Sequence, residues 1–164
     1  MAGAPAGRRV AVTVALRPAR DDDAQWLDGW LGQVALEVGY QLAESGAAWL
    51  LERARRDRDV RVRIIEHAGE RAGVLAHRRG DDGRAVFELV AVPPERARSG
   101  HGLNAAAMAE EEMQRDGARI AFAPAPATHG IAVYFWIRLG YRPLLRGEWP
   151  CARDGVAWFA RALG

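Results

Sequence analysis

The sequence predicts an α/β (α+β) fold, a mixed and mostly antiparallel sheet of about seven strands with about four helices. Three observations carry that prediction. Segments of strand and helix period alternate in the order β-α-α-β-β-β-α-β-α-β-β, with short turns joining the three central strands. A chain of 164 residues, 49% hydrophobic and 27% charged, is enough for one core. Neither a repeat nor a linker divides it. Residues 1–9, MAGAPAGRR, read as a flexible tail before one domain spanning residues 10–164.

Val10 to Leu16 is β-rich and is closed by Arg17 and Pro18. Asp21, Asp22 and Asp23 offer N-caps, and Asp22 with Gln25 has capping-box spacing. Trp26, Leu27, Trp30, Leu31, Val34 and Val38 then keep helical spacing as far as Gly39. Ser45 caps a second helix, with Ala48, Leu51 and Ala54 on one face, ending near Asp57. Val60, Val62 and Ile64 alternate with arginines as a half-exposed strand; Ala68-Gly69-Glu70 turns it, and Arg71 to Arg78 returns. Gly80-Asp81-Asp82-Gly83 is a strong turn, and the apolar strand Phe87 to Val92 follows, ended by Pro93 and Pro94. Arg96 to Gly102 is a polar loop; alanine-rich Leu103 to Gln114 is a helix stopped near Gly117. Ala118 to Ala123 is a short buried strand. Pro124, Pro126 and Thr128 form a stiff connection, with Thr128 as N-cap, into a helix from Ile131 to Leu139. Tyr141 to Leu145 and Val156 to Ala162 close the sheet as a strand pair.

Composition removes several classes. All 23 basic residues are arginines, the net charge is only +2, and acids are interleaved with them almost throughout. The densest run, Arg53 to Arg63, reads as a solvated helix end and strand face, so no nucleic-acid partner is expected. Cys151 is the single cysteine, which rules out an intrachain disulfide. No apolar run reaches membrane-span length, and the N-terminus lacks a secretory core; a cytoplasmic protein without a membrane partner is expected.

The informative stretch is strand, loop and helix from Phe87 to Gln114. Glycines let backbone approach a ligand closely, and the first-turn N–H groups of a helix point outward with the positive end of its dipole. A pyrophosphate suits such a loop, with Arg96 or Arg98 at its rim. A plain tight turn is the other reading of Gly100-His101-Gly102. The dinucleotide fingerprint needs a third glycine and the NTPase loop a lysine, both lacking here.

The loop ARSGHG (97–102) resembles motif A of the GNAT superfamily of N-acetyltransferases, Gln/Arg-x-x-Gly-x-Gly/Ala. Downstream, HGIAVYFWIRLGY (129–141) resembles that family's Asn-x-x-Ala-x-x-Phe-Tyr-x-Arg-Leu-Gly-Phe stretch, in the right order and spacing. The resemblance implies a GNAT-like sheet whose central strands splay apart, here Phe87 to Val92 and Ala118 to Ala123. It implies acetyl-CoA as co-substrate, no metal, and a small-molecule or peptide amine as acceptor, and it allows a homodimer. Val90, Ala91 and Val92 would contact pantetheine and acetyl through backbone, while Arg98, Ser99, Gly100, His101 and Gly102 would hold the pyrophosphate.

Acyl transfer needs a neutral amine, a donor for the oxyanion and help for the departing thiolate. Glu88, a carboxylate inside an apolar run, suits a general base; a solvent-facing or arginine-paired residue is the alternative. Val90 and Val92 share its parity, so an unbroken strand sends all three to one face. His129 and Tyr134 are further catalytic candidates, against a first-turn helix residue and a core tyrosine. His101 either packs or touches phosphate. Two motif positions depart from the family. Its Gln/Arg is Ala97, and its Tyr, often the general acid, is Trp136, whose indole has no readily lost proton. Two readings follow: an acetyltransferase, or a CoA-binding module that has lost catalysis and serves as a sensor or interaction domain.

Overall fold

The computed structural model describes residues 13–38, 40 and 46–164. The expected tail, the start of the first strand at Val10, the stop at Gly39 and the cap at Ser45 lie outside them. Among the described residues, β1 (Val14–Pro18), β2 (Val60–His67), β3 (Glu70–Arg79), β4 (Arg84–Ala91), β5 (Ile120–Pro126), β6 (Arg142–Pro143) and β7 (Val156–Ala162) form one sheet in the order β1-β2-β3-β4-β5-β7-β6. Only β4 and β5 run parallel. The helices are α1 (Ala24–Asp28), α2 (Leu31–Glu37), α3 (Ala47–Arg56), α4 (His101–Arg115) and α5 (Gly130–Arg138). The three-strand meander is as expected, with Ala68 (φ 54°) and Gly69 (φ 77°) turning β2 into β3 in the left-handed region.

The first helix is two short ones instead of one. Gly29 ends α1, and Trp30 leaves helical geometry at φ −145°. A glycine weakens a helix interior, and the carboxylate of Asp28 turns away to accept the N–H of Ala47 at the start of α3 (2.7 Å). The buried face of α3 is Ala47, Leu50 and Leu51; Ala48 is exposed, against the expected stripe. The sheet separates two apolar layers. On one face Leu27, Leu31, Leu50 and Leu51 pack on Val62, Ile64, Val74 and Leu89. On the other, Ala105, Ala106, Ala109, Met113 and Trp136 pack on Ile65, Leu75 and Phe87. The small residues of α4 let that helix lie close to the strands.

Charged pairs fasten helices to the sheet. Buried Asp23 accepts two bonds from Arg17 (2.7 and 2.8 Å), one from the N–H of Arg20 (2.8 Å), and pairs with Arg71 (3.0 Å). Burial pushes its carboxyl pKa up, but these partners outweigh burial and hold it below the usual range. On α4, Glu112 pairs with Arg63 (3.1 Å) and meets His77 (3.4 Å). The His77 contact, with Arg63 behind it, lowers the Glu112 pKa to about 2 against the push of burial.

Candidate functional site

The ladder between β4 and β5 stops after Arg84↔Ile120, Ala85↔Ala121 and Val86↔Phe122. Beyond it, β4 stays paired to β3 through Ala91↔Val74, and β5 stays paired to β7 through Pro126↔Val156. The two strands therefore diverge into a V-shaped gap between two otherwise intact half-sheets.

The walls of the gap follow from the registers. In the β3–β4 ladder, Arg79 turns its N–H toward β2, onto Asp59 O (2.9 Å). By alternation Val74 and Ala76 turn toward Ala91 and Leu89, leaving the backbone of Val90, and Val92 in phase with it, turned to the gap. A Cβ on Gly73 would sit 2.6 Å from Ala91 O, consistent with that carbonyl pointing at β3 and with the need for glycine there. Val90 and Val92 thus offer backbone to a ligand, while the backbone of Ala91 is spent on the sheet.

The β5 wall is different. Ile120 N–H reaches Gly83 O on the β4 side (3.2 Å), whereas Arg119 O and Ala127 N–H bond to Leu163 and Gly155 on the β7 side. The β5–β7 register is unbroken, so residues 120, 122, 124 and 126 turn their backbones toward β4. Positions 124 and 126 are prolines. The expected stiff connection is therefore the end of the strand, because a missing N–H is tolerated where no ladder exists. Their carbonyls are taken as well: Pro124 O accepts from Trp136 Nε1 (3.1 Å), and Pro126 O from the N–H of His129 (3.0 Å).

Trp136 is thereby a buried structural residue, packed on Phe87, Phe135 and Tyr141. His129, rather than Thr128, caps α5, its Nδ1 accepting from Ala132 N–H (3.1 Å). Tyr134 is 62% exposed on the side of α5 away from Trp136, so it is neither core nor turned to the gap.

At the mouth, Arg98 (φ 62°) and Gly100 (φ 82°) bend the chain into α4. A Cβ on Gly100 would meet open space, so conformation and not crowding calls for glycine there. Gly102 lies inside the first turn of α4, where a Cβ would come 3.4 Å from Phe135 and 3.6 Å from Val90. Among the described residues no backbone acceptor engages the N–H groups of His101, Gly102 and Leu103. Ser99 Oγ donates to Arg96 O (2.5 Å), Arg96 pairs with Glu70 (2.8 Å), and Arg98 is exposed with no acid paired to it among the described residues. The His101 side chain packs on His67 and leaves its backbone to the loop.

Glu88 sits on a β-bulge. His77 pairs with Phe87 and Ala76 with Leu89, so Glu88 is the extra residue of β4. The expected parity is overturned. Phe87, Val90 and Val92 face the α4–α5 layer, while Leu89 and Ala91 face the opposite one. Glu88 points to the α1–α3 side, where Arg53 clasps it through both carboxylate oxygens and Arg78 approaches to 3.4 Å. Tyr40 is buried beside this pair; burial first, then the charge of Glu88, raises its hydroxyl pKa. Sequence reasoning missed Arg53 and the Trp136–Pro124 bond. The Pro-x-Pro spacing was the available signal for the latter, because a two-residue period puts both missing N–H groups on one edge of a strand.

A seven-stranded sheet splayed at its one parallel pair, with a glycine loop and helix at the opening, is the fold of the GNAT-family acetyltransferases. A GNAT-family acetyltransferase from Staphylococcus aureus Mu50 superposes with a TM-score of 0.75 at 12% identity, over 93% of this chain and 100% of its own. An acetyltransferase from Thermus thermophilus gives 0.73 at 21%, over 93% and 98%. The Salmonella typhimurium protein yncA, solved with its cofactor acetyl-CoA, gives 0.70 at 15%, over 93% and 95%. No protein-family profile and no curated protein matches the sequence.

Proposed function

We propose that this protein binds acetyl-CoA in the gap between β4 and β5 and moves the acetyl group to the amine of a small molecule or peptide. The splay carries the reading: two half-sheets, each fully paired on its outer side, leave the backbone of Val90 facing a space that suits an extended ligand. Pantetheine amides would pair with Val90 and Val92, and the pyrophosphate would lie on the free N–H groups from His101 to Leu103 with Arg98 beside it. In the reaction the neutral amine nitrogen attacks the thioester carbonyl carbon, the C–S bond breaks, and CoA leaves as thiolate while the ammonium proton passes to a base. An incoming cationic amine displaces Arg53 from Glu88, which takes the proton that leaves the amine neutral for attack, and the proton left on nitrogen after attack passes to solvent water.

Two observations favour a second reading, a CoA-binding module without turnover. The indole of Trp136 is committed to Pro124 O, so α5 presents no acid there, and Glu88 is already clasped. One pair of measurements separates the two. Calorimetric titration with CoA should give a dissociation constant on the order of micromolar; no binding at millimolar CoA removes both readings. Thiol release with a panel of amines then decides: turnover that falls roughly 10²-fold in Glu88→Gln, with CoA affinity kept, supports the enzyme and its base. Binding without turnover on any amine supports the module.

A further inference from the structure

His67 ends β2 and His101 opens α4, and their rings meet at a tilt of 48° with centroids 4.4 Å apart. His101 is only 8% exposed, and neither imidazole has a hydrogen-bond partner among the described residues. The guanidinium of Arg96 lies nearby, bonded to Glu70, which stands across the hairpin from His67. Glu66, next in sequence to His67, is committed to Arg17 (2.6 Å). The first turn of α4 holds no acid, and its positive end adds to the field. Burial, then His67 and Arg96, hold the His101 pKa below the usual imidazole range. The pair is therefore an unbonded acceptor of protons, His101 buried and His67 half-buried, beside the N-terminus of α4.

We propose that the His67–His101 pair is part of the anion site, and that a pyrophosphate settling on the α4 N-terminus is accompanied by uptake of a proton from solvent onto the pair. The inference rests on the cofactor reading above. An arriving dianion reverses the local field, so the charged imidazole that was disfavoured in the free protein becomes its counter-ion.

The test is calorimetric titration of the full chain with dephospho-CoA, which keeps the pyrophosphate but lacks the 3′-phosphate, a group that itself titrates near pH 6. Titrations at pH 7 in buffers of different ionisation enthalpy count the protons exchanged. The expected results are net uptake, and binding about tenfold tighter at pH 6 than at pH 8. His67→Phe, which keeps an aromatic ring without a proton site, and His101→Gln should both lose most of the uptake and the pH dependence. Because His67 is only half-buried, its variant carries the test if the other fails to fold. Binding without uptake in the wild type, or uptake unchanged in the variants, overturns the inference and leaves the cofactor reading standing. Binding of CoA without binding of dephospho-CoA overturns this inference alone, and no binding of either at any pH overturns the cofactor reading with it.

Discussion

Along β4, Val90 turns an N–H and a carbonyl into the gap with no strand opposite, whereas along β5 the equivalent positions are Pro124 and Pro126, with no N–H and with both carbonyls already bonded. One wall is chemically open and the other closed, although both are extended backbone from the same sheet. The difference teaches that a splay is not by itself two rows of free hydrogen-bonding groups. Each row has to be counted, and here β4 has backbone groups to offer a ligand's amides while β5 has only van der Waals contact to offer. The helices differ likewise. The α4 helix is fastened to β2 and β3 by the ionic contacts of Glu112, while α5 is fastened to β5 by the ring and indole N–H of Trp136.

The largest expected effect comes from removing what closes the β5 wall. Trp136→Ala loses the ring packing and strands a buried carbonyl, and should destabilise the fold by about 3–5 kcal/mol in denaturant titration. A loss below about 1 kcal/mol would mean that the indole is not the fastener.

Next comes acid. Glu112 has a folded pKa of about 2, below its ordinary 4.5. Its contribution is therefore fully present above about pH 4.5 and is lost as pH falls from there towards 2. It should amount to about 2–3 kcal/mol, and Glu112→Gln should flatten that limb of the stability–pH curve. An unchanged limb would show that α4 is held by other contacts.

The smaller effects test the walls directly. Val90→Pro removes an N–H that faces the gap, so, like Pro124 and Pro126, it should be tolerated by the sheet while weakening CoA binding about tenfold, near 1.4 kcal/mol. Unfolding of this variant would place that N–H in the ladder and reverse the assignment of the wall. Pro124→Ala restores a donor to the closed wall and should tighten CoA by a few-fold at most. A weakened affinity would indicate that the ring of Pro124, and not its missing N–H, serves the ligand.

Much of this is legible in the sequence. Periodicity placed the meander, α4 and β7 within a few residues, because those segments bury one face and leave the other wet. The glycine loop was readable from its residues as an anion site, whereas the splay entered only through the resemblance of two motifs. What stayed hidden was non-local. The clasp of Glu88 joins residues 35 apart in sequence, and Asp28 caps a helix 19 residues on. The proline rule pointed the wrong way at Pro124 because it presumes a partner strand on both sides. No pattern in Phe87 to Val92 announces the bulge, since apolar residues occupy both parities of the run.

That bulge sets Glu88 apart from its neighbours in another respect. His77 and Ala76 are consecutive in β3 and pair with Phe87 and Leu89. Excising residue 88 would therefore close the ladder while every other side chain of β4 kept its face; excising Val90 would turn the residues beyond it inside out. In the grammar of the sheet Glu88 is an insertion, the one position of the strand whose omission the architecture would not register. A chain from which it is deleted, still folded, would report what the carboxylate does for the molecule, free of what the strand does for the fold.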